Sequence, residues 1–363
     1  MDTPNALGQP HSIVVFRALQ LGDMLCAVPA LRALRNAYPD ARIALVGLPW
    51  CATFAARFAC YIDEFIEFPG YPGLPEILPR LDAIPGFLAE MQHRRFDAAI
   101  QLHGSGSYVN SIVMLFNTRT TAGFFVPGEY CPDAERFIAW PEHEPEIMRY
   151  LTLMEHLGIA PGDSSLEFPL TPLDHSEFAQ LGLAAALGGK PYVIIHPGAQ
   201  LRSRRWPPER FAEVADGLPA DHAVILTGSA AEWPVAQAVE AAMKRSAINL
   251  AGKTSLGALA VLLRHARLLV SNDTGLSHMA AALRVPSVII CSASDPQRWS
   301  PLDRDLHSVL FHQPVACRPC AHEQCPIGHP CALALTAERI IPVVRNKLAR
   351  HGKLQMEDFN GAS

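Results

Sequence analysis

Several things are missing from this 363-residue sequence, and each absence excludes something. No apolar run reaches the length of a helix that could cross a bilayer. The opening MDTPNALGQPHS lacks the basic-then-apolar design of an export signal. There is no surplus of positive charge: 30 Lys and Arg stand against 35 Asp and Glu, a net charge of -5 that argues against nucleic acid as a partner. Only 18% of residues are charged while 49% are hydrophobic, which excludes wholesale disorder. The expectation is a soluble, cytoplasmic, monomeric protein whose contact with any membrane is peripheral.

What is present is an alternation. Strand-like apolar runs alternate with helical spacing, a pattern that predicts parallel sheets wrapped by helices. The first half offers strands at 12–16, 42–46, 63–68, 97–102 and 121–124, and the second at 192–196, 222–226, 248–250, 268–271 and 287–291. Phe211, Val214, Ala215 and Leu218 keep helical spacing between them, as do Leu256, Leu259, Ala260 and Leu263. Two successive five-stranded α/β units are therefore expected, over 11–172 and 186–345. The polar stretch around 171–190 parts them, and a tail follows over 346–363. Five prolines within 68–87 predict a long loop over the first unit.

Ligands of open parallel sheets bind beyond the carboxyl ends of the strands, so the loops there carry the information. Four stand out. RALQLGDM places Gly22 and Asp23 at a helix start, and HPGAQLRSRRWPPERF brings His196 and the cluster Arg202, Arg204 and Arg205. TGSAAEW leads to Glu232, and in SNDTGLSHMAAAL residues Asp273, Thr274 and Gly275 open a helix that bears His278. A helix start presents unpaired N–H groups that attract a diphosphate, and guanidinium groups pair phosphate bidentately. Each signal has a plainer counterpart. Asp273 and Asp23 also suit helix caps, His278 a packing role, and the arginines a solvated loop. A carboxylate at a helix N-terminus stays ionised, so Asp23 also suits a general base acting on a hydroxyl.

Two further features carry less. Four of the nine cysteines crowd into CRPCAHEQCPIGHPC, as Cys317, Cys320, Cys325 and Cys331, with His322 and His329 between them. That spacing fits a structural zinc or iron site, reduced thiols or disulfides, and in each case a braced loop better than chemistry. Asp303 and Asp305 flank an arginine in a DRD that spells a carboxylate-pair metal motif, but such a pair is commonplace on surfaces.

With these residues in place the chain resembles the glycosyltransferase family 9 heptosyltransferases over about 12–344. The likeness is carried by LGDMLCAVPALRALRNAYPDARI, HPGAQLRSRRWPPERFAEVA, LAGKTSLGALAVLL and SNDTGLSHMAAALRVPSV. The resemblance implies an α/β fold of GT-B type, two facing Rossmann-like domains with parallel sheets and an interdomain cleft. It implies an inverting glycosyltransferase that moves heptose from ADP-heptose to a lipopolysaccharide core acceptor hydroxyl, with no cofactor and no metal. By the same resemblance Asp23, beside Gly22, is the catalytic base. The nucleotide-sugar donor is then held by His196, Arg204, Arg205, Glu232, Thr254, Asp273, Thr274, Gly275 and His278, with Thr254 at the adenine and Glu232 at the ribose. The family commonly has lysine two residues before Trp206, where this chain has Arg204. A lipid-linked acceptor implies peripheral contact with the cytoplasmic face of the inner membrane. A sugar-nucleotide epimerase or hydrolase of similar fold, and a non-catalytic nucleotide-sugar-binding protein, are the alternatives.

Overall fold

The computed structural model describes residues 6–351. The chain divides into two compact units, Met1–Pro169 and Leu170–Ser363. The first holds a six-stranded sheet: β1 (Ser12–Phe16), β2 (Arg42–Gly47), β3 (Glu64–Glu67), β4 (Ala98–Gln101), β5 (Thr120–Phe125) and β6 (Phe137–Ala139). Its strands lie in the order β3-β2-β1-β4-β5-β6 and every pairing is parallel. The second unit repeats the plan with β7 (Tyr192–His196), β8 (Ala223–Leu226), β9 (Ile248–Asn249), β10 (Leu268–Asn272), β11 (Ser287–Ile290) and β12 (His307–Leu310). Here the order is β12-β11-β10-β7-β8-β9, again all parallel. Counted from the start of its own unit, each sheet reads 3-2-1-4-5-6. The winding direction therefore reverses between β1 and β4, and between β7 and β10. Those are the points where an open α/β sheet leaves a crevice for a ligand.

The central strands are continuous apolar runs because helices cover both faces. Ile13 to Phe16 in β1 and Val193 to Ile195 in β7 are fully buried. After β1 comes helix α1 (Leu21–Ala37), buried along Met24, Leu25, Val28, Leu31 and Leu34. In the second unit, Trp206, Phe211, Val214 and Leu218 pack with Ile340 and Val344 into one core. Trp206 is fully buried, its indole N–H donates to Leu335 O (2.9 Å), and its ring meets Phe211 edge-on at 5.0 Å. Removing such a side chain typically costs about 3–5 kcal/mol.

Three expectations change. Each sheet has six strands rather than five, because β6 and β12 are short edge strands of three and four residues, too brief to mark a period. The stretch 171–190 is largely helical: Thr171 and Asp174 close a reciprocal cap on the helix Pro172–Gln180, and Leu183–Leu187 forms another. The proline-rich loop ends at Ala83, where a proline in the first turn starts the helix Ile84–Arg94. Of the expected tail, 346–351 belongs to the helix Ala337–His351, and 352–363 lies outside the described residues. No helix among the described residues is long and apolar enough to cross a membrane.

Candidate functional site

At the first unit's switch point, the turn from β1 to α1 is held at Arg17, Ala18 and Leu19. Ala18 N–H donates to His103 Nδ1 (3.2 Å), and the Trp50 indole N–H donates to Leu19 O (3.2 Å). Arg17, fully buried, donates to Leu102 O beyond β4 and, through Nε (3.0 Å) and Nη2, to Asp23 O in the first turn of α1. Its guanidinium lies 4.4 Å over the Tyr150 ring. Burial alone would lower the Arg17 pKa, but its interactions with Tyr150, Glu146 and Asp23 outweigh it and hold the pKa above its usual value. Gly22 is buried, whereas Asp23 is half-buried one residue later. No side chain caps α1 at Gln20, and Asp23 is the acidic residue of its first turn. His103 also faces Glu76 Oε1 at 3.3 Å, tying the proline-rich loop down over the same strand ends.

The second switch point gathers most of the remaining candidates. Fully buried Trp206 fixes the end of the turn Arg202–Arg204, and Asn272 at the tip of β10 locks it from the other side. Asn272 accepts the Trp206 backbone N–H (2.9 Å) and donates to Pro197 O (2.8 Å) and Gly198 O (3.2 Å). Arg204 is thereby set beside Asp273, whose carboxyl feels its charge. Asp273 is 8% exposed and accepts from Ser294 Oγ. Burial raises its pKa against the opposing pull of His278, Ser294 and Arg204. The helix Gly275–Ala282 begins immediately after, with Thr274 as its extended N-cap and no side-chain cap bond. His278 is 5% exposed, its ring 6.1 Å from that of Trp299. Two polar atoms here are buried with no hydrogen-bond partner: Arg204 Nε and Thr274 Oγ1. Burying such groups unpaired costs about 1–3 kcal/mol each, so their retention points to a ligand that satisfies them.

A second cluster lies along β7 and β8. His196 ends β7 with Nδ1 at 3.1 Å from Thr227 Oγ1. Burial lowers the His196 pKa, and the nearby Glu232 opposes that shift. Burial would raise the Glu232 pKa, but His196, the Ser229 N–H (2.8 Å) and hydroxyl (2.9 Å), and Arg205 hold it below its usual value. Arg205 donates from Nε to Ala199 O (2.8 Å). The Glu232 carboxylate lies against the Gly198 backbone, where a Cβ would collide with it. Thr254 sits in a neighbouring turn, which Gly252 N–H pins to Gly228 O (2.8 Å). The structure thus brings together, within the second unit, Arg204 with Asp273, Thr274, Gly275 and His278, and His196 with Arg205, Glu232 and the Thr254 turn. Asp23 and Gly22 stand in the first unit.

The cysteine loop braces this site. Cys317, Cys320, Cys325, Cys331 and His329 line one cavity with Ser203 and Arg318, and none of the nine cysteines is in a disulfide. His329 Nε2 meets Ser203 O (2.7 Å), Ser203 Oγ donates to His322 O (2.6 Å), and Arg318 donates to Ser292 O (2.6 Å). Among the described residues no three His, Cys, Asp or Glu side chains are grouped to hold a metal ion. Asp303 simply closes a turn by accepting the Leu306 N–H (2.9 Å). Sequence reasoning missed Asn272, Ser294 and Arg17. Only Arg17 carried a signal, a charge at the end of an apolar strand.

Comparison with known proteins completes the picture. The sequence pattern described as glycosyltransferase family 9 (heptosyltransferase) matches residues 87–330. The chain is 26% identical over 306 residues to lipooligosaccharide heptosyltransferase 2 of Haemophilus influenzae, covering 80% of this chain and 86% of that one. It is 33% identical over 294 residues to lipopolysaccharide heptosyltransferase 3 of Escherichia coli K12, covering 77% and 82%. It shares its fold with the solved E. coli ADP-heptose heptosyltransferase II, at a TM-score of 0.72 and 23% identity over 93% of this chain and 99% of that one. The chain belongs to glycosyltransferase family 9, and it is a glycosyltransferase.

Proposed function

We propose that this enzyme transfers heptose from ADP-heptose to a hydroxyl of a lipopolysaccharide core acceptor by direct displacement with inversion. The observation that carries the donor half is the pair of orphaned atoms, Arg204 Nε and Thr274 Oγ1, beside an uncapped helix start. A diphosphate satisfies both and gains the partial positive charge of the helix end. Asp273 and His278 then take the sugar hydroxyls, Glu232 the ribose, and the Thr254 turn the adenine. Ser229 and Arg205 hold Glu232 in its ionised form.

The acceptor half rests on Asp23. Its carboxylate takes the proton of the acceptor hydroxyl as that oxygen bonds to the anomeric carbon. The bond from that carbon to the diphosphate oxygen breaks, and ADP leaves with its new charge facing Arg204 and the Thr274–Gly275 N–H groups. On this reading the charge of the leaving group is met by protein donors, and no metal is required. A lipid-linked acceptor would bring the enzyme to the cytoplasmic face of the inner membrane. Asp23→Asn is expected to lose about 10²–10⁴ in kcat while ADP-heptose still binds. Near-normal turnover by the folded variant would remove Asp23 from the mechanism.

A further inference from the structure

Three oxygens of the first unit lie buried with no hydrogen-bond partner at the carboxyl end of its sheet: Glu76 Oε2, Gln101 Oε1 and Asn110 Oδ1. They flank the loop 102–108, which joins β4 to the helix Val109–Met114 at the switch point beside β1. Gln101 is fully buried, Asn110 is 1% exposed and the Glu76 side chain 17%. A fourth such atom, Glu64 Oε2, begins β3 at the other end of the sheet and lies 3.0 Å from Arg42 Nη2. The neighbours settle which atoms are left over. Gln101 Nε2 donates to His103 O (2.8 Å) and Asn110 Nδ2 to Phe124 O (2.9 Å), so in both amides the remaining atom is the oxygen. Ala18 N–H donates to His103 Nδ1, which leaves the ring proton on Nε2, facing Glu76 Oε1 at 3.3 Å. Glu76 therefore keeps one oxygen on His103 and the other unspent. The loop is drawn tight: Gly106 has a φ of 93°, and a Cβ there would strike Phe124 O and the Asn110 amide.

We propose that this loop holds a neutral, hydroxyl-rich sugar of the acceptor through Glu76 Oε2, Gln101 Oε1 and Asn110 Oδ1, and disfavours an acidic sugar or a phosphate. This rests on the reading of the first unit as the acceptor side and names the chemistry it selects. All three unspent atoms are acceptors, so their partner must bring donors, and a polyol brings several in one molecule. An anion would instead meet the Glu76 carboxylate. The first 169 residues contain no lysine to offset it. Arg17, which reaches the loop, donates to Leu102 O and Asp23 O, and Arg80 of the proline-rich loop pairs with Glu67. The second unit is built the other way, since its orphaned Arg204 Nε is a donor. Because Arg17 ties Leu102 to the first turn of α1, a sugar held on this loop lies beside Asp23. Tyr108, at the end of the loop and 70% exposed, offers a ring face to the C–H side of that sugar.

The full-length enzyme is titrated with two probes: methyl heptoside, and its counterpart in which the terminal CH2OH is a carboxylate. Amide hydrogen exchange is the readout. The heptoside is expected to slow exchange over 74–78 and 101–110, and the acid to do so only at about ten-fold higher concentration or above. Glu76→Gln turns one acceptor into a donor and removes the charge. It is expected to weaken the heptoside about ten-fold and to tighten the acid. A purely structural role for Glu76 would weaken both probes alike, and that result overturns the proposal. So does an acid that binds as well as the heptoside. No protection of these segments by saturating heptoside means that the three oxygens hold buried water only, which also overturns it. If Glu76→Gln fails to fold, the comparison of the two sugars on the wild-type chain decides alone. Failure to transfer heptose from ADP-heptose to any acceptor would instead sink the proposed function, whatever sugar the loop protects.

Discussion

At the scale of single residues, Asp273 shows how the candidate donor site is kept at a cost to the resting fold. Its pKa is raised by burial, so the stability it contributes is complete below the ordinary carboxylate range and is lost as pH rises through its folded value. At neutral pH the unfolded chain therefore gains more from ionising this carboxyl than the folded chain does, and each unit of upward shift removes about 1.4 kcal/mol. Asp273→Asn keeps an oxygen for the Ser294 hydroxyl and removes that strain. The variant is expected to melt higher than wild type at pH 7–8, with the difference closing below about pH 4, and to bind ADP-heptose far more weakly. A variant that melts lower across the whole range would show that the carboxylate stabilises the fold. Its neighbour Arg204 is open to the same reading, since Nε is buried without a partner until something anionic arrives.

At the scale of elements, the candidate donor site is a set of strand tips sewn together by Asn272. Its three bonds join the end of β10 to the loop after β7 and to the backbone entering the helix Pro208–Asp216. Asn272→Ala is expected to cost about 1–3 kcal/mol, seen as a lower melting temperature, and to raise KM for the donor while leaving KM for the acceptor unchanged. Equal effects on both substrates would show a general loosening instead. None of this was legible in the sequence, where Asn272 is one more polar residue beside Asp273 and its partners lie 66 and more positions away. The elements themselves were legible where physics leaves a local mark. β1 and β7 are unbroken apolar runs, and both strands fall at the expected residues. β6 and β12 escaped notice because a short edge strand, part-exposed and not enclosed by helices on both sides, needs no apolar run. Likewise 171–190 looked like a polar link, although Thr171 and Asp174 are a helix start in which two backbone N–H groups are satisfied reciprocally.

At the scale of the molecule, the candidate donor groups all reside in the second unit and the proposed base in the first. ADP alone, carrying no sugar, is therefore expected to slow amide hydrogen exchange over 197–206 and 273–279 and to leave 18–23 exchanging as before. Protection over 18–23 with none in the second unit would reverse the assignment of donor and acceptor sides. The net charge of -5 fits this division, because the candidate anion-binding groups are confined to one loop cluster and the chain as a whole is not basic.

Using one strand order twice has a consequence for how such an enzyme diversifies. A chain made of two copies of one winding plan keeps each switch point within its own half, so on the proposed division of sides a new acceptor can be adopted by redrafting the loops of the first half alone. Chimeras that join residues 1–169 of this chain to the second half of a relative should thus inherit acceptor choice from one parent and nucleotide-sugar choice from the other.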